Sequence, residues 1–184
     1  MRNASLRLLV LAGIVLLAVA ALTGANRANA TVQRVATVAQ IDDLRQTTWR
    51  WQRLMRVPRT PTSYVERRNV DPVSRSRLFD LWRMRAHHAE LRAQDPPHEL
   101  AWRCIMRHET LYAGAWHANT GNGYYGGLQM DVTFQRHFAP ELLRAKGTAD
   151  NWSPVEQMWV AERAQRDGLG FTPWPNTARA CGVF

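Results

Sequence analysis

Cys104 and Cys181 are the only cysteines in the chain, and they bracket its C-terminal segment. What such a pair does depends on the compartment, and the first residues point to one. Arg2 and Arg7 precede an apolar run from Leu8 to Leu22, and a polar stretch then ends in Ala28-Asn29-Ala30, the three parts of a secretory signal. The run is shorter than the roughly 20 residues a spanning helix needs. Export with cleavage after Ala30 is therefore expected, an uncleaved signal anchor being the alternative. In an oxidising compartment an even pair of cysteines reads as a disulfide. Closing a loop of this size removes about 4 kcal/mol of unfolded-state entropy, a useful share of the stability of a small core. Neither cysteine stands at a metal-ligand or redox spacing, which argues against catalysis by a thiol.

From Thr31 onward the length suits one compact domain plus an extension. The layout expected is a signal peptide over 1–30, a basic, partly helical extension over 31–97 and a C-terminal domain over 98–184. The chain has 24 Lys+Arg against 15 Asp+Glu, and the excess outside the signal lies in the extension, with 13 arginines and 8 acids between Thr31 and Leu100. In an exported protein such a patch suits anionic wall polymers or lipid headgroups, and nucleic acid is not expected as a partner. Apolar periodicity predicts a helix from Gln40 to Val57, stopping at Pro58, and a second from Leu78 to Gln94, with loop or extended chain through to Arg77. His87-His88 lacks partner ligands at metal spacing, so neither a metal nor another cofactor is expected. A monomer is expected.

Asp95-Pro96-Pro97 reads as the start of a third helix, with Asp95 as its cap and proline in its first turn, running to about Leu111. Trp102, Ile105 and Glu109 follow i, i+3, i+7, which sets a carboxyl on the same stripe as two large apolar side chains. A carboxyl withdrawn from water holds its proton better than an exposed one, as a general acid for a glycosidic oxygen requires. The following GAWHANTGNGYYGGLQMDVTF, from Gly114 to Phe134, has a turn signal at Asn122-Gly123, so a small hairpin or tight loop should follow. Gly126-Gly127 permits either unusual dihedrals or close approach of a flat ligand. Asn119, Thr120, Asn122, Tyr124, Tyr125 and Gln129 beside Trp116 mix neutral polar groups with aromatic faces, a composition suited to sugars. Ser153-Pro154-Val155-Glu156 has capping-box spacing and starts a helix to about Asp167, closed by Gly168 and Gly170. The tail then folds back so that Cys181 reaches Cys104.

Residues from about Leu100 to Cys181 resemble the resuscitation-promoting factor and transglycosylase-like domain of actinobacteria. NTGNGYYGGLQM carries most of the likeness, supported by Trp102 and Trp116 seven residues either side of Glu109, by VAERA at Val160 to Ala164 and by Trp174-Pro175. The resemblance implies an α+β, mainly α, lysozyme-like fold with a short β-hairpin, acting on peptidoglycan glycan strands at the MurNAc to GlcNAc β-1,4 bond. It makes Glu109 the catalytic acid and assigns Thr120, Tyr124, Gln129 and Thr133 to the substrate groove. This chain departs from the pattern in several places. His108 stands where the family places its first cysteine, and Cys181 lies further past Trp-Pro than usual. Asp167 precedes Gly168-Leu169-Gly170 where the family has Gln before Gly-Trp-Gly, and one residue is missing between Gln129 and Phe134. With one glutamate and no evident second carboxylate beyond Asp131 and Asp167, lytic transglycosylation is favoured and hydrolysis stays open. A non-catalytic wall-binding or growth-signalling module is the alternative from another class.

Overall fold

Among the described residues most helix starts are set by short-range caps. The computed structural model describes residues 36–68, 71–111 and 115–183, so the expected signal peptide lies outside the described residues. Helix α1 (Val38–Leu54) opens with a capping box, Thr37 Oγ1 accepting from Gln40 N at 3.2 Å and Gln40 Oε1 accepting from Thr37 N at 2.8 Å. It stops before Pro58, because Arg56 turns the chain with a φ of 50°. A short helix α2 (Tyr64–Arg68) has the same device in Ser63 and Glu66. Helix α3 (Pro72–Ala93) starts six residues earlier than apolar periodicity suggests. The reason is local: Asp71 accepts from Ser74 N at 2.9 Å and Pro72 is preset for the first helical position. Helices α1 and α3 bury Ile41, Trp82, Ala86 and Ala89 between them, with Trp49 edge-on to Trp82 at 5.9 Å.

The second half runs α4 (Glu99–Thr110), β1 (Tyr124–Tyr125), β2 (Met130–Asp131), α5 (Val132–Phe138), α6 (Pro140–Lys146), α7 (Pro154–Ala164) and α8 (Pro175–Ala180). This is the mainly helical α+β architecture expected, with one small antiparallel ladder. Tyr124 stands opposite Asp131 and Tyr125 opposite Met130. Asn122-Gly123 turns the chain into β1 from Asn119, which bridges Tyr125, while the ladder itself closes across Gly126–Gln129. The cap expected of Asp95 is absent. The N-cap of α4 is His98, whose backbone N–H donates to Glu162 Oε1 at 3.0 Å, a partner on a remote helix. Among the described residues no helix is long and apolar enough to cross a membrane.

Helix α7 lies at the centre. Its capping box forms as expected, and every side chain from Gln157 to Ala164 is buried. A helix enclosed on all sides can carry polar groups only if the protein itself satisfies them. Arg163 shows how: Nε donates to Leu54 O at 3.1 Å, Nη2 to Arg53 O at 3.1 Å and Nη1 to Phe138 O at 2.6 Å, and Nη1 also pairs with Glu141 at 2.6 Å. Burial lowers the Arg163 pKa and Glu141 opposes that shift. The guanidinium thereby satisfies the carbonyls that end α1, and Trp159 Nε1 does the same for α3 by donating to Ala93 O at 2.7 Å. Residues 37–184 accordingly form one compact unit.

A second tie holds the loop before β1. His117 Nδ1 meets Asp150 O at 2.6 Å, and the Asp150 carboxyl accepts from Asn119 Nδ2 at 3.1 Å and Thr148 Oγ1 at 2.6 Å. Burial pushes the Asp150 pKa up, but the bonds from Thr148 and Asn119, its own backbone N–H and the His117 ring outweigh this and hold it below the usual 3.8.

Two outcomes are expected. Arg163→Met removes the partner of Glu141 and a donor from three carbonyls, and should cost about 2–3 kcal/mol in denaturant unfolding; a loss below about 1 kcal/mol would show that the guanidinium does not hold the extension. For Asp150 the folded pKa lies below the unfolded one, so its contribution is complete above the unfolded value and lost as pH falls through the folded one. The stability gap between wild type and Asp150→Asn should therefore be open at pH 6 and narrow below about pH 4. An equal gap at pH 6 and pH 2.5 would contradict the tie.

Candidate active site

Glu109 stands in the last turn of α4, above Trp102 and Ile105, which are fully buried on the same stripe. Trp102 is locked by three contacts. Its ring lies 5.2 Å from Trp174 and 4.8 Å from Phe171, and its Nε1 donates to Glu162 Oε1 at 2.6 Å. The helix is thus fixed from below, and Leu111 ends it in a left-handed turn with a φ of 59°. Glu109 itself is partly buried, and its Oε1 accepts a hydrogen bond from Thr177 Oγ1 at 2.8 Å. Thr177 belongs to α8, which the Cys104–Cys181 disulfide fastens to α4 with Cα atoms 6.0 Å apart. The bridge expected from the cysteine pair is present. His108, exposed, has a ring nitrogen within 4.8 Å of both sulfurs, but joined sulfurs offer no thiolate to a metal.

The four residues assigned to the groove fall on two neighbouring elements. Thr120 is exposed between Asn119 and the Asn122-Gly123 turn, and Tyr124 is 48% exposed on β1. Gln129, at the end of the β1–β2 turn, has a φ of 48°, and its Nε2 donates to Gly126 O at 2.8 Å, so its amide braces the turn it sits in. Thr133 is exposed in the first turn of α5, behind the Asp131 cap. Residues 112–114, which join α4 to this loop, lie outside the described residues.

Buried groups set the position of the loop. Gln157 Oε1 accepts from Gly127 N at 2.8 Å, and its Nε2 reaches Trp116 O, Ala149 O and Trp152 O at 2.7, 2.9 and 3.1 Å. Trp174 Nε1 donates to Leu128 O at 2.6 Å. The two glycines are explained by these contacts. Gly126 combines a φ of 74° with a position where a Cβ would come within 2.5 Å of Gln157 Oε1, and a Cβ on Gly127 would come within 2.7 Å of Met106 Cγ. Close approach at Gly127 is thus to the protein's own core. Trp116 needs correction as a sugar platform: it is buried with 5% exposure, so its faces are spent on packing, and Tyr124 is the aromatic left open. Asn119 is likewise engaged with Asp150.

Thr177, Gln157 and Glu162 were not singled out from the sequence. The last two had a signal, being polar residues within the apolar run of α7, whereas Thr177 had none because its partner is 68 residues away. Asp131 and Asp167, the alternative carboxylates, are occupied: Asp131 accepts from Phe134 N at 2.7 Å, and Asp167 pairs with Arg56 at 2.9 Å.

Comparison with known proteins bears on the same part of the chain. Residues 97–177 match the transglycosylase-like domain family. Over 78 residues the chain is 38% identical to resuscitation-promoting factor RpfE of Mycobacterium tuberculosis, a match covering 42% of this chain and 41% of that protein. The chain therefore spans less than half the length of this relative. Residues 97–177 are thus similar to the transglycosylase-like domain family and to part of a resuscitation-promoting factor.

Proposed function

We propose that the domain over 98–184 is a lytic transglycosylase that cuts peptidoglycan glycan strands at the MurNAc to GlcNAc β-1,4 bond, with Glu109 as its one catalytic carboxyl. The observation that carries this reading is the placement of Glu109: partly buried at the end of an immobilised helix, held by a hydroxyl, in a transglycosylase-like domain. Protonated Glu109 gives its proton to the glycosidic oxygen as the bond to C1 of MurNAc breaks. The carboxylate left behind takes the proton of the MurNAc 6-hydroxyl as that oxygen bonds to C1, which leaves an anhydro end and restores the acid. Engagement of Asp131 and Asp167 elsewhere supports a site with a single carboxyl over a two-carboxylate hydrolase. Thr120, Tyr124, Gln129 and Thr133 line the groove, Tyr124 offering its open ring to a sugar face.

Such an enzyme would work where peptidoglycan lies, secreted or wall-associated. The extension over 31–97 contributes charge. Its exposed arginines, Arg50, Arg53, Arg83 and Arg92 among them, suit anionic wall polymers.

Purified sacculi incubated with the chain should release fragments with anhydro ends in mass spectrometry, and Glu109→Gln should lower the rate at least about 100-fold while sacculus pull-down persists, the range for loss of a general acid. Reducing ends in place of anhydro ends would make it a hydrolase. Undiminished cleavage by Glu109→Gln, or none by wild type, would refute the catalytic assignment, and binding without cleavage would make it a wall-binding module.

A further inference from the structure

Two successive rungs join α4 to α8. Cys104 is bonded to Cys181, and five residues further along α4 Glu109 meets Thr177, which lies one turn before Cys181, with Cys181 N donating to Thr177 O at 2.9 Å. Later positions on one helix meet earlier positions on the other, so the two run antiparallel. The covalent rung therefore fixes where the polar rung falls. Thr177 Oγ1 has two acceptors within reach, Glu109 Oε1 at 2.8 Å and Trp174 O at 3.4 Å. A hydroxyl has one proton to give, and the shorter contact has the geometry of a full hydrogen bond while the longer one is at the limit.

Resting on the function proposed above, we infer that Thr177 is a positioning residue for the acid: it holds Glu109 Oε1, so that Oε2 carries the proton toward the sugar, and the Cys104–Cys181 bridge keeps it there. A donor aimed at Oε1 also favours the carboxylate that appears as the proton leaves, so its effect grows along the reaction coordinate. It should therefore act on kcat and leave KM alone. Thr177 is partly buried against α4, on a different element from the groove residues of the hairpin and α5.

The test compares Thr177→Val, which keeps the shape and removes the donor, with Thr177→Ser, which keeps the donor. On soluble glycan strands Thr177→Val should lose about ten-fold in kcat, equivalent to about 1.4 kcal/mol, with KM within about two-fold, and Thr177→Ser should regain most of it. In protein carrying 13C-labelled glutamate, the Glu109 carboxyl resonance should shift in Thr177→Val relative to wild type and return in Thr177→Ser, because the hydroxyl donor is lost and then restored. Wild-type kcat together with an unmoved resonance in Thr177→Val overturns the inference. If the wild-type chain cuts no glycan, the functional reading fails on its own, and the carboxyl resonance decides for Thr177: a shifted resonance supports the contact and an unmoved one rejects it.

Discussion

Enclosing α7 on every side forces each of its polar side chains to find partners within the protein, and those partners are the elements that build the rest of the fold. Gln157 receives the hairpin loop through Gly127 and Trp116. Glu162 receives the start of α4 through His98 N and Trp102 Nε1. Arg163 receives the end of α1 through Arg53 and Leu54, and the end of α5 through Phe138. A buried amide, carboxyl and guanidinium left unpaired would each cost several times what their hydrogen bonds contribute net, so the requirement is strict. One helix thus sets the helix that carries Glu109, the loop that carries Tyr124 and Gln129, and the docking of the extension.

The docking of the extension changes how the arginine-rich segment is to be understood. Its two long helices are seated by their C-terminal ends, where Arg163 and Trp159 answer carbonyls that would otherwise face the apolar cluster of Leu54, Met55, Ala93 and Trp159. Arg56 adds a reciprocal contact from the extension side, pairing with Asp167. The segment outside the family match is therefore packed against the matched one through side chains belonging to both.

Local signals in the sequence were reliable where the partner is near. The Ser153 capping box, the Trp102-Ile105-Glu109 stripe and the turn at Asn122-Gly123 all depend on residues a few positions apart, and all are present. The cysteine pair was legible for a different reason, since only two sulfurs were available to join. Asp95 was misread as a cap because a suitable side chain was in place, while the true acceptor, Glu162, is 64 residues from His98. Likewise Trp116 carried the right composition for a sugar platform, and only its burial against Gly127 and Met106 shows that the core has claimed it. The early start of α3 could have been read, because Asp71-Pro72 is a start signal that apolar periodicity overlooks.

The proposed function requires a glycan to lie across the Tyr124–Gln129 loop with its scissile oxygen at Glu109. A crystal structure of Glu109→Gln soaked with a MurNAc–GlcNAc tetrasaccharide tests it most directly. The substituted amide should lie within hydrogen-bond distance of one bridging oxygen, with a sugar ring against Tyr124. A tetrasaccharide seated elsewhere, with no glycosidic oxygen near that side chain, would contradict it.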